Sequence, residues 1–76
     1  MESIAEAFGN VLSHERKKLG LSQEDLAYSA DVDRSYISDL ENGKFQPTLK
    51  IIFKLAKHLK IEPEDLIFKV KQNLEK

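Results

Sequence analysis

The hydrogen-bonding side chains best suited to a chemical task lie between Arg34 and Lys44. On a helical wheel the outward positions of this stretch are polar: Arg34, Ser35 and Tyr36 in the first turn, then Ser38, Asp39 and Asn42. An ordinary solvated helix would more often carry Lys, Glu and Gln there. Short polar groups let a helix approach the floor of a DNA groove, and arginine can bind guanine through two hydrogen bonds. The pattern therefore favours recognition of base edges.

Roles can be predicted for these positions. The first turn of such a helix goes deepest, so Arg34, Ser35 and Tyr36 are the best base-reading candidates, with Ser38 next. Phosphate contacts are expected on either side of this helix. Gln23 would supply one at the N-terminus of the preceding helix, and Asn42 and Lys44 would supply others at the C-terminal end of the recognition helix.

A structural role competes with recognition at several of these positions. Ser35 could merely support the helix cap, Tyr36 could cover the neighbouring helix, and Lys44 could be simply solvated. Asp39 would repel phosphate; it could instead accept from a cytosine amino group or orient Arg34 or Lys44.

Two short helices joined by a tight corner are predicted to position these side chains. Ser22 and Asp25 have capping-box spacing before a helix over 23–30, and Asp33 is the expected N-cap of a helix over 34–42. Gly43 follows at the position where a left-handed conformation ends a helix. The stretch from about 22 to 42 therefore reads as a helix-turn-helix.

Three further helices complete an all-α, five-helix single domain over 1–76. One is expected over 3–19, one from Thr48 to about Leu59, and one from Pro63 onward. The fourth helix has a strong predicted apolar side, formed by Leu49, Ile52, Phe53, Ala56 and Leu59. Ile51 lies outside that side of the helix.

The apolar residues near the C-terminus exceed what one small core can use. Leu66, Ile67, Val70 and Leu74 form one stripe of the fifth helix, and Phe68 falls opposite. Either that helix stops near Phe68 or part of its surface meets another chain; the last five residues are expected to fray. A homodimer interface is therefore predicted on Ile51, Ile67 and Phe68, with 62–76 as the dimerising segment.

Composition excludes several classes of protein. The 76 residues contain no cysteine, no metal-ligand cluster and no cofactor motif. The two histidines, His14 and His58, lie on separate helices without an evident catalytic partner, so an enzyme is not expected. No apolar run could span a membrane and no signal peptide opens the chain, so the expected location is the cytoplasm.

The net charge counts against DNA binding, and the uneven distribution of charge decides nothing by itself, because solvated helix faces often carry such runs. The net charge is −1, and residues 21–43 carry six acids against the single base Arg34. Residues 44–60 carry five lysines and no acid. Affinity is therefore expected from a few placed groups, with Arg34 foremost and the lysines assisting from the side.

The spacing of residues across nearly the whole chain resembles the phage-repressor (Cro/CI, or Xre) family of helix-turn-helix regulators. The resemblance is carried by Gln23-x-x-Leu26-Ala27-x4-Val32-x4-Ile37-x-x-Leu40-Glu41-Asn42-Gly43, followed by Pro47 and the apolar positions of the fourth helix. Within that family, the run from Asp33 to Ser38 is similar to the controller proteins of restriction–modification systems.

This resemblance implies a lambda-repressor-like fold and a homodimer that binds a palindromic operator in double-stranded DNA. It further implies control of transcription, often of the protein's own promoter, and here control of a restriction–modification operon. It also implies a structural salt bridge between Arg16 and Glu41, with a phosphate contact as the alternative role of Arg16, and it places Asp31 where the family usually has glycine. If the protein activates transcription, an acidic surface such as Glu24–Asp25 could contact RNA polymerase. The alternative is an antitoxin-type regulator that also holds a protein partner, which a long disordered tail would favour.

Overall fold

Local capping signals set where the helices begin. In the computed structural model, which describes residues 2–76, five α-helices account for the ordered elements of that range: α1 (Ile4–Lys18), α2 (Gln23–Ala30), α3 (Arg34–Glu41), α4 (Leu49–His58) and α5 (Pro63–Leu74). No strand occurs within residues 2–76. The predicted all-α, five-helix fold is confirmed.

Hydroxyl caps hold three of the helix starts. The Ser3 and Ser22 hydroxyls accept hydrogen bonds from backbone N–H groups three residues on, in complete capping boxes, and Thr48 Oγ1 accepts from the N–H of Ile51 at 3.2 Å. Asp33 occupies the N-cap position of α3, but its carboxylate makes no cap hydrogen bond, contrary to the expectation from sequence. Asp33 is exposed, so water can satisfy that carboxylate instead.

Two non-glycine residues adopt the left-handed conformation at helix ends. Asp31 ends α2 with φ 57° and forms the corner between α2 and α3. Lys60 follows α4 with φ 59° and was not anticipated. An aspartate tolerates this region better than a lysine does.

The core lies where all five helices converge. The α1 helix packs on α3 and α5, α2 packs on α3 and α4, and α4 packs on α5. The largest fully buried side chains are all aliphatic: Leu12, Leu26, Ile37, Leu40, Leu55 and Leu66. The Cα radius of gyration is 11.1 Å, close to the roughly 11.4 Å expected for a compact domain of this length.

The α1–α3 crossing depends on a glycine inside a helix. A Cβ atom on Gly9 would lie 2.5 Å from the carbonyl oxygen of Leu40 and 2.6 Å from that of Glu41. No real side chain fits at those distances, so only glycine lets the last turn of α3 approach α1 this closely.

The side of α4 that faces the core differs from the predicted one. Leu55, Ala56 and Leu59 are buried, whereas Leu49 and Phe53, which were expected to face the core, are 67% and 60% exposed. Ile51, expected to lie off the apolar face, is half-buried against the core. The prediction was wrong because the core-facing side of α4 is set by its contacts with α2 and α5, not by the centre of its apolar residues.

The fifth helix continues well past Phe68. It ends at Leu74, with Leu66 and Val70 buried, so most of the segment expected to fray is helical. Ile67 and Phe68 stay 45% and 56% exposed on this continuing helix. Of the two alternatives left by the sequence, an early end of the helix is therefore excluded.

Candidate nucleic-acid interface

The exposed side of α3 carries the polar residues singled out from the sequence. Arg34, Ser35 and Asn42 are exposed, and Ser38 is half-buried. Asn42 Nδ2 donates a long hydrogen bond of 3.4 Å to Ser38 Oγ. The structure thus places these groups on α3 and, for Asn42, at its C-cap, one residue beyond the helix. Ile37 and Leu40 of the same helix are fully buried.

Tyr36 is half-buried at one edge of this face. Its ring packs against the core and stacks on Phe45 in the loop after α3, with centroids 5.3 Å apart and the ring planes inclined by 31°. Burial raises the pKa of Tyr36 above its ordinary value of 10.0. The phenol therefore stays protonated at neutral pH and can both donate and accept a hydrogen bond.

Lys44 and Asp39 form an ion pair at the C-terminal end of α3. Lys44 Nζ lies 3.3 Å from Asp39 Oδ1, and both side chains are at least one-third exposed. Of the three roles left open for Asp39, the structure displays the pairing with Lys44. Exposed pairs contribute little energy and exchange readily, so Lys44 remains available to an anionic partner.

A buried ion pair joins α3 to α1 on the side of α3 that faces the core. Arg16 Nε lies 2.6 Å from Glu41 Oε2, and Arg16 Nη2 donates to Glu41 Oε1 at 3.0 Å. The remaining guanidinium nitrogen, Nη1, donates at 2.7 Å to the carbonyl oxygen of Leu21, just before α2. The two side chains are only 9% and 7% exposed, so the guanidinium is not a surface group that could clamp a phosphate.

The network shifts the ionisation of both partners. Hydrogen bonding to Glu41 raises the pKa of Arg16. For Glu41, burial acts to raise the pKa, but hydrogen bonds from Arg16 and Gln23 and the positive charge of Arg16 together bring it below the ordinary value of 4.5. Both groups are therefore charged at neutral pH.

Gln23 belongs to the same network. Its side-chain Nε2 donates to Glu41 Oε1 at 3.1 Å, and the residue is half-buried. The side chain predicted to meet a phosphate is thus already engaged in fixing α2 against α3. The backbone N–H of Gln23, in the first turn of α2, has no acceptor within the helix. A phosphate contact at Gln23 would therefore come first from the backbone.

Two contributors to this region were missed from the sequence. Phe45 was passed over as part of a loop, although an aromatic residue just beyond a polar helix face is itself a signal. Gly9 lies within the helix expected over 3–19 and was given no role of its own, although a glycine inside a helix costs about 1 kcal/mol relative to alanine and so points to close packing.

Large apolar side chains are also exposed on α4 and α5. We call this set of side chains the apolar face: Leu49, Phe53, Ile67 and Phe68. Leu49 and Phe53 lie one turn apart on α4, and α4 packs on α5. Ile51 is not part of this face because it packs inward.

These features define a helix-turn-helix domain: two capped helices at a left-handed corner, with the exposed polar side of the second helix locked in place by a buried network. The family model described as helix-turn-helix matches residues 12–66, and the chain belongs to that family. No helix within residues 2–76 is long and apolar enough to cross a lipid bilayer.

Among its relatives the chain is similar to control proteins. It is 42% identical over 67 residues to the control protein C.MunI from Mycoplasma sp, which covers 87% of this chain and 90% of that protein. It is 44% identical to the solved restriction–modification controller protein C.AhdI from Aeromonas hydrophila, with a TM-score of 0.78 over 82% of this chain and 94% of the other.

A third relative was solved with DNA. The restriction–modification controller protein C.Esp1396I, a tetramer in complex with its natural 35 base-pair operator, is 26% identical with a TM-score of 0.88, and the match covers both chains completely. These relatives agree with the family resemblance seen in the sequence. None of the three is described as an antitoxin, so that alternative is not favoured.

Proposed function

We propose that this protein is a sequence-specific DNA-binding regulator of transcription that acts as a homodimer on a palindromic operator. The observation that carries the proposal is the exposed polar side of α3, held against α1 and α2 by the buried Arg16–Glu41 pair. Arg34, Ser35 and Tyr36 read base edges, with Ser38 beside them. The likeness to controller proteins supports regulation of the protein's own promoter and of a restriction–modification operon.

Contacts at the rim of α3 supply sequence-independent affinity in this proposal. The backbone N–H of Gln23, the amide of Asn42 and the ammonium of Lys44 bind phosphates on either side of the groove. A cytoplasmic location follows, because the DNA target lies there.

The apolar face supports dimerisation. Leu49, Phe53, Ile67 and Phe68 are each 45% or more exposed, and large apolar groups gathered on packed helices mark interaction surfaces. This assignment keeps Ile67 and Phe68 from the sequence analysis and adds Leu49 and Phe53. Ile51 supports the face from within, where its side chain packs on the core.

Selection from a randomised duplex library tests the DNA-binding proposal. The enriched sequence should contain two inverted half-sites and should recur upstream of the protein's own gene. Recovery of no preferred sequence would overturn sequence-specific binding. Recovery of a palindrome that is absent upstream of the gene would overturn autoregulation alone.

Two substitutions distinguish base recognition from phosphate binding on the selected duplex. Arg34→Ala should lose about 1–3 kcal/mol of binding free energy and relax base preference at one position of each half-site. Lys44→Ala should weaken all sequences alike and reduce the salt dependence by up to about one unit of slope. Lys71→Ala, an exposed lysine on α5, serves as the control and should change neither quantity. Equal losses on specific and random DNA for Arg34→Ala would contradict base reading.

Sedimentation of charged variants tests the dimer surface. Phe53→Asp and Ile67→Asp should shift the protein toward the monomer at micromolar concentration, because each places a carboxylate in a dry interface. Tyr28→Asp is the matched control, since Tyr28 is an 89% exposed aromatic residue on α2, outside the apolar face. Unchanged dimers for both variants would place the interface elsewhere.

Contact with RNA polymerase is a further part of the proposal. Glu24 and Asp25 are exposed in the first turn of α2, but Asp25 Oδ2 accepts from the N–H of Ser22 at 2.9 Å. Glu24 is therefore the freer of the two acids. In transcription with purified polymerase, Glu24→Gln should reduce activation without changing operator affinity. An unchanged transcript level would remove Glu24 from this role.

A further inference from the structure

A single aromatic pair links the first turn of α3 to the loop beyond its last turn. Tyr36 and Phe45, nine positions apart, stack with centroids 5.3 Å apart and are the aromatic pair found in the described part of the chain. Phe45 is 38% exposed, so the core alone does not account for its position. The stack is independent of the polar contacts described above.

The backbone brings Phe45 to this place through the end of α3. The N–H of Gly43 donates to the carbonyl oxygen of Leu40 at 3.1 Å, and the N–H of Lys44 donates to that of Asp39 at 3.0 Å. The turn ends one residue before Phe45, so the chain enters the loop in a fixed direction. Phe45 is thereby anchored to the same helix that carries Tyr36.

Tyr36 needs a second contact if its hydroxyl is to occupy one place. A tyrosine at the edge of a helix face can rotate about its Cα–Cβ bond between two or three staggered wells. The core covers one part of the ring, and Phe45 covers another. A ring that packs on both the core and Phe45 favours one well, because any other rotamer loses the contact with Phe45.

We propose that Phe45 is a positioning residue, which holds the Tyr36 ring in one rotamer so that its hydroxyl reaches a fixed base-pair edge in the operator. The inference has two parts. The part that concerns the contact with the operator, its DNA half, rests on the proposed function. The part that concerns the Tyr36 rotamer, its conformational half, is a statement about the free protein alone. Phe45 itself need not touch DNA.

The expected effect follows from the population of the binding-competent rotamer. A ring that shares two or three wells is competent about one-half to one-third of the time, which weakens apparent affinity by about two- to threefold per subunit. Two subunits on a palindrome give about four- to ninefold for the dimer. Random duplex, where the hydroxyl has no preferred partner, should be bound with unchanged affinity.

Nuclear magnetic resonance of the free protein tests the conformational half. The chain has two tyrosines, so Tyr28→Phe leaves Tyr36 as the one tyrosine to be labelled with ¹³C. Three-bond Hα–Hβ couplings then report the rotamer populations of Tyr36, and its ring protons report the ring current of Phe45. Phe45→Leu should give averaged couplings and loss of the ring-current shift, whereas Phe45→Trp should preserve a single rotamer. A single rotamer in Phe45→Leu would overturn the proposal.

Binding to the selected duplex tests the DNA half. Phe45→Leu should weaken specific binding by about four- to ninefold, Phe45→Trp should restore it, and a melting curve confirms that both variants are folded. In a Tyr36→Phe background, where the hydroxyl is absent, Phe45→Leu should cost less than twofold. Averaged couplings with unchanged specific affinity would overturn the positioning role. If the unmutated protein selects no duplex, the proposed function and the DNA half fail together, and the couplings alone decide whether Phe45 holds the ring.

Discussion

Replacing Glu41 with alanine would leave the Arg16 guanidinium buried without its counter-ion. Three hydrogen bonds to the carboxylate disappear, two from Arg16 and one from Gln23, and only the bond from Arg16 Nη1 to the carbonyl of Leu21 remains. The two charged side chains are 9% and 7% exposed, so water cannot fully replace the lost partner. The substitution should therefore lower the free energy of unfolding and loosen the packing of α3 against α1.

The magnitude follows from the burial of the pair. Removing one partner of a buried ion pair costs about 3–5 kcal/mol, because the other charge stays desolvated and uncompensated. The slight exposure of both side chains favours the lower end, about 3 kcal/mol. A domain of this length has a total stability of about 4–11 kcal/mol, so Glu41→Ala should lose a large share of it.

A double-mutant cycle in urea measures the interaction itself. The free energies of unfolding of Arg16→Ala, Glu41→Ala and the double variant should give a coupling energy of about 2–3 kcal/mol. Protomer concentration must be equal throughout, because dimerisation adds to apparent stability. Asp39→Ala, which breaks the exposed pair with Lys44, is the matched control and should change stability by less than about 0.5 kcal/mol.

A small coupling energy would refute this reasoning. If the cycle returned less than about 0.5 kcal/mol, the Arg16–Glu41 pair would behave as an exposed pair despite its burial. The network could not then be what holds α3 in place, and the rigidity of the proposed reading surface would need another source.

Three further predictions concern backbone and pH. Gly9→Ala should destabilise by about 1–3 kcal/mol in urea unfolding, although helix propensity alone predicts the opposite, because its Cβ meets the carbonyl oxygens of α3; no loss relative to a Lys17→Ala control would contradict the close crossing. Lys60→Gly should raise stability by about 0.5 kcal/mol, since φ is 59° there, and an unchanged or lower melting temperature would contradict it. Stability should fall as pH drops below about 4.5, because the lowered pKa of Glu41 stabilises the folded state only while the carboxylate is ionised; acid titration of Glu41→Ala should show a shallower fall, and parallel curves would rule this out.

Helix positions could be predicted from the sequence because their signals are local. The hydroxyls of Ser3, Ser22 and Thr48 accept from N–H groups three residues away, so each start is encoded within one turn. The place of Asp31 at the corner was instead implied by the family resemblance, and its left-handed conformation is one that aspartate tolerates better than most residues.

Contacts between elements were harder to predict. The side of α4 that faces the core depends on how the helix packs against α2 and α5, and a helical wheel of α4 alone does not contain that information. For this reason Phe53 was predicted to face the core and Ile51 to lie off it, whereas the structure has the reverse. The Arg16–Glu41 pair came from a family resemblance, because no local rule joins residues 25 positions apart. Phe45 was missed because stacking on Tyr36 requires knowing the path of an irregular loop.

The Asp39–Lys44 pair has a consequence for how ionic strength should act on the proposed complex. A lysine that is free in solution gains a phosphate and releases the cation condensed there, which makes binding weaken as salt rises. Lys44 would instead trade one anion for another, and the abandoned carboxylate of Asp39 would draw a cation back from solution. The net release of ions at this position would then be smaller than the one cation expected of an unpaired lysine, so about one unit is the upper limit for the change in salt slope in Lys44→Ala. The contribution of Lys44 to operator affinity would therefore be less sensitive to salt than that of an unpaired lysine, because Lys44 exchanges one anionic partner for another.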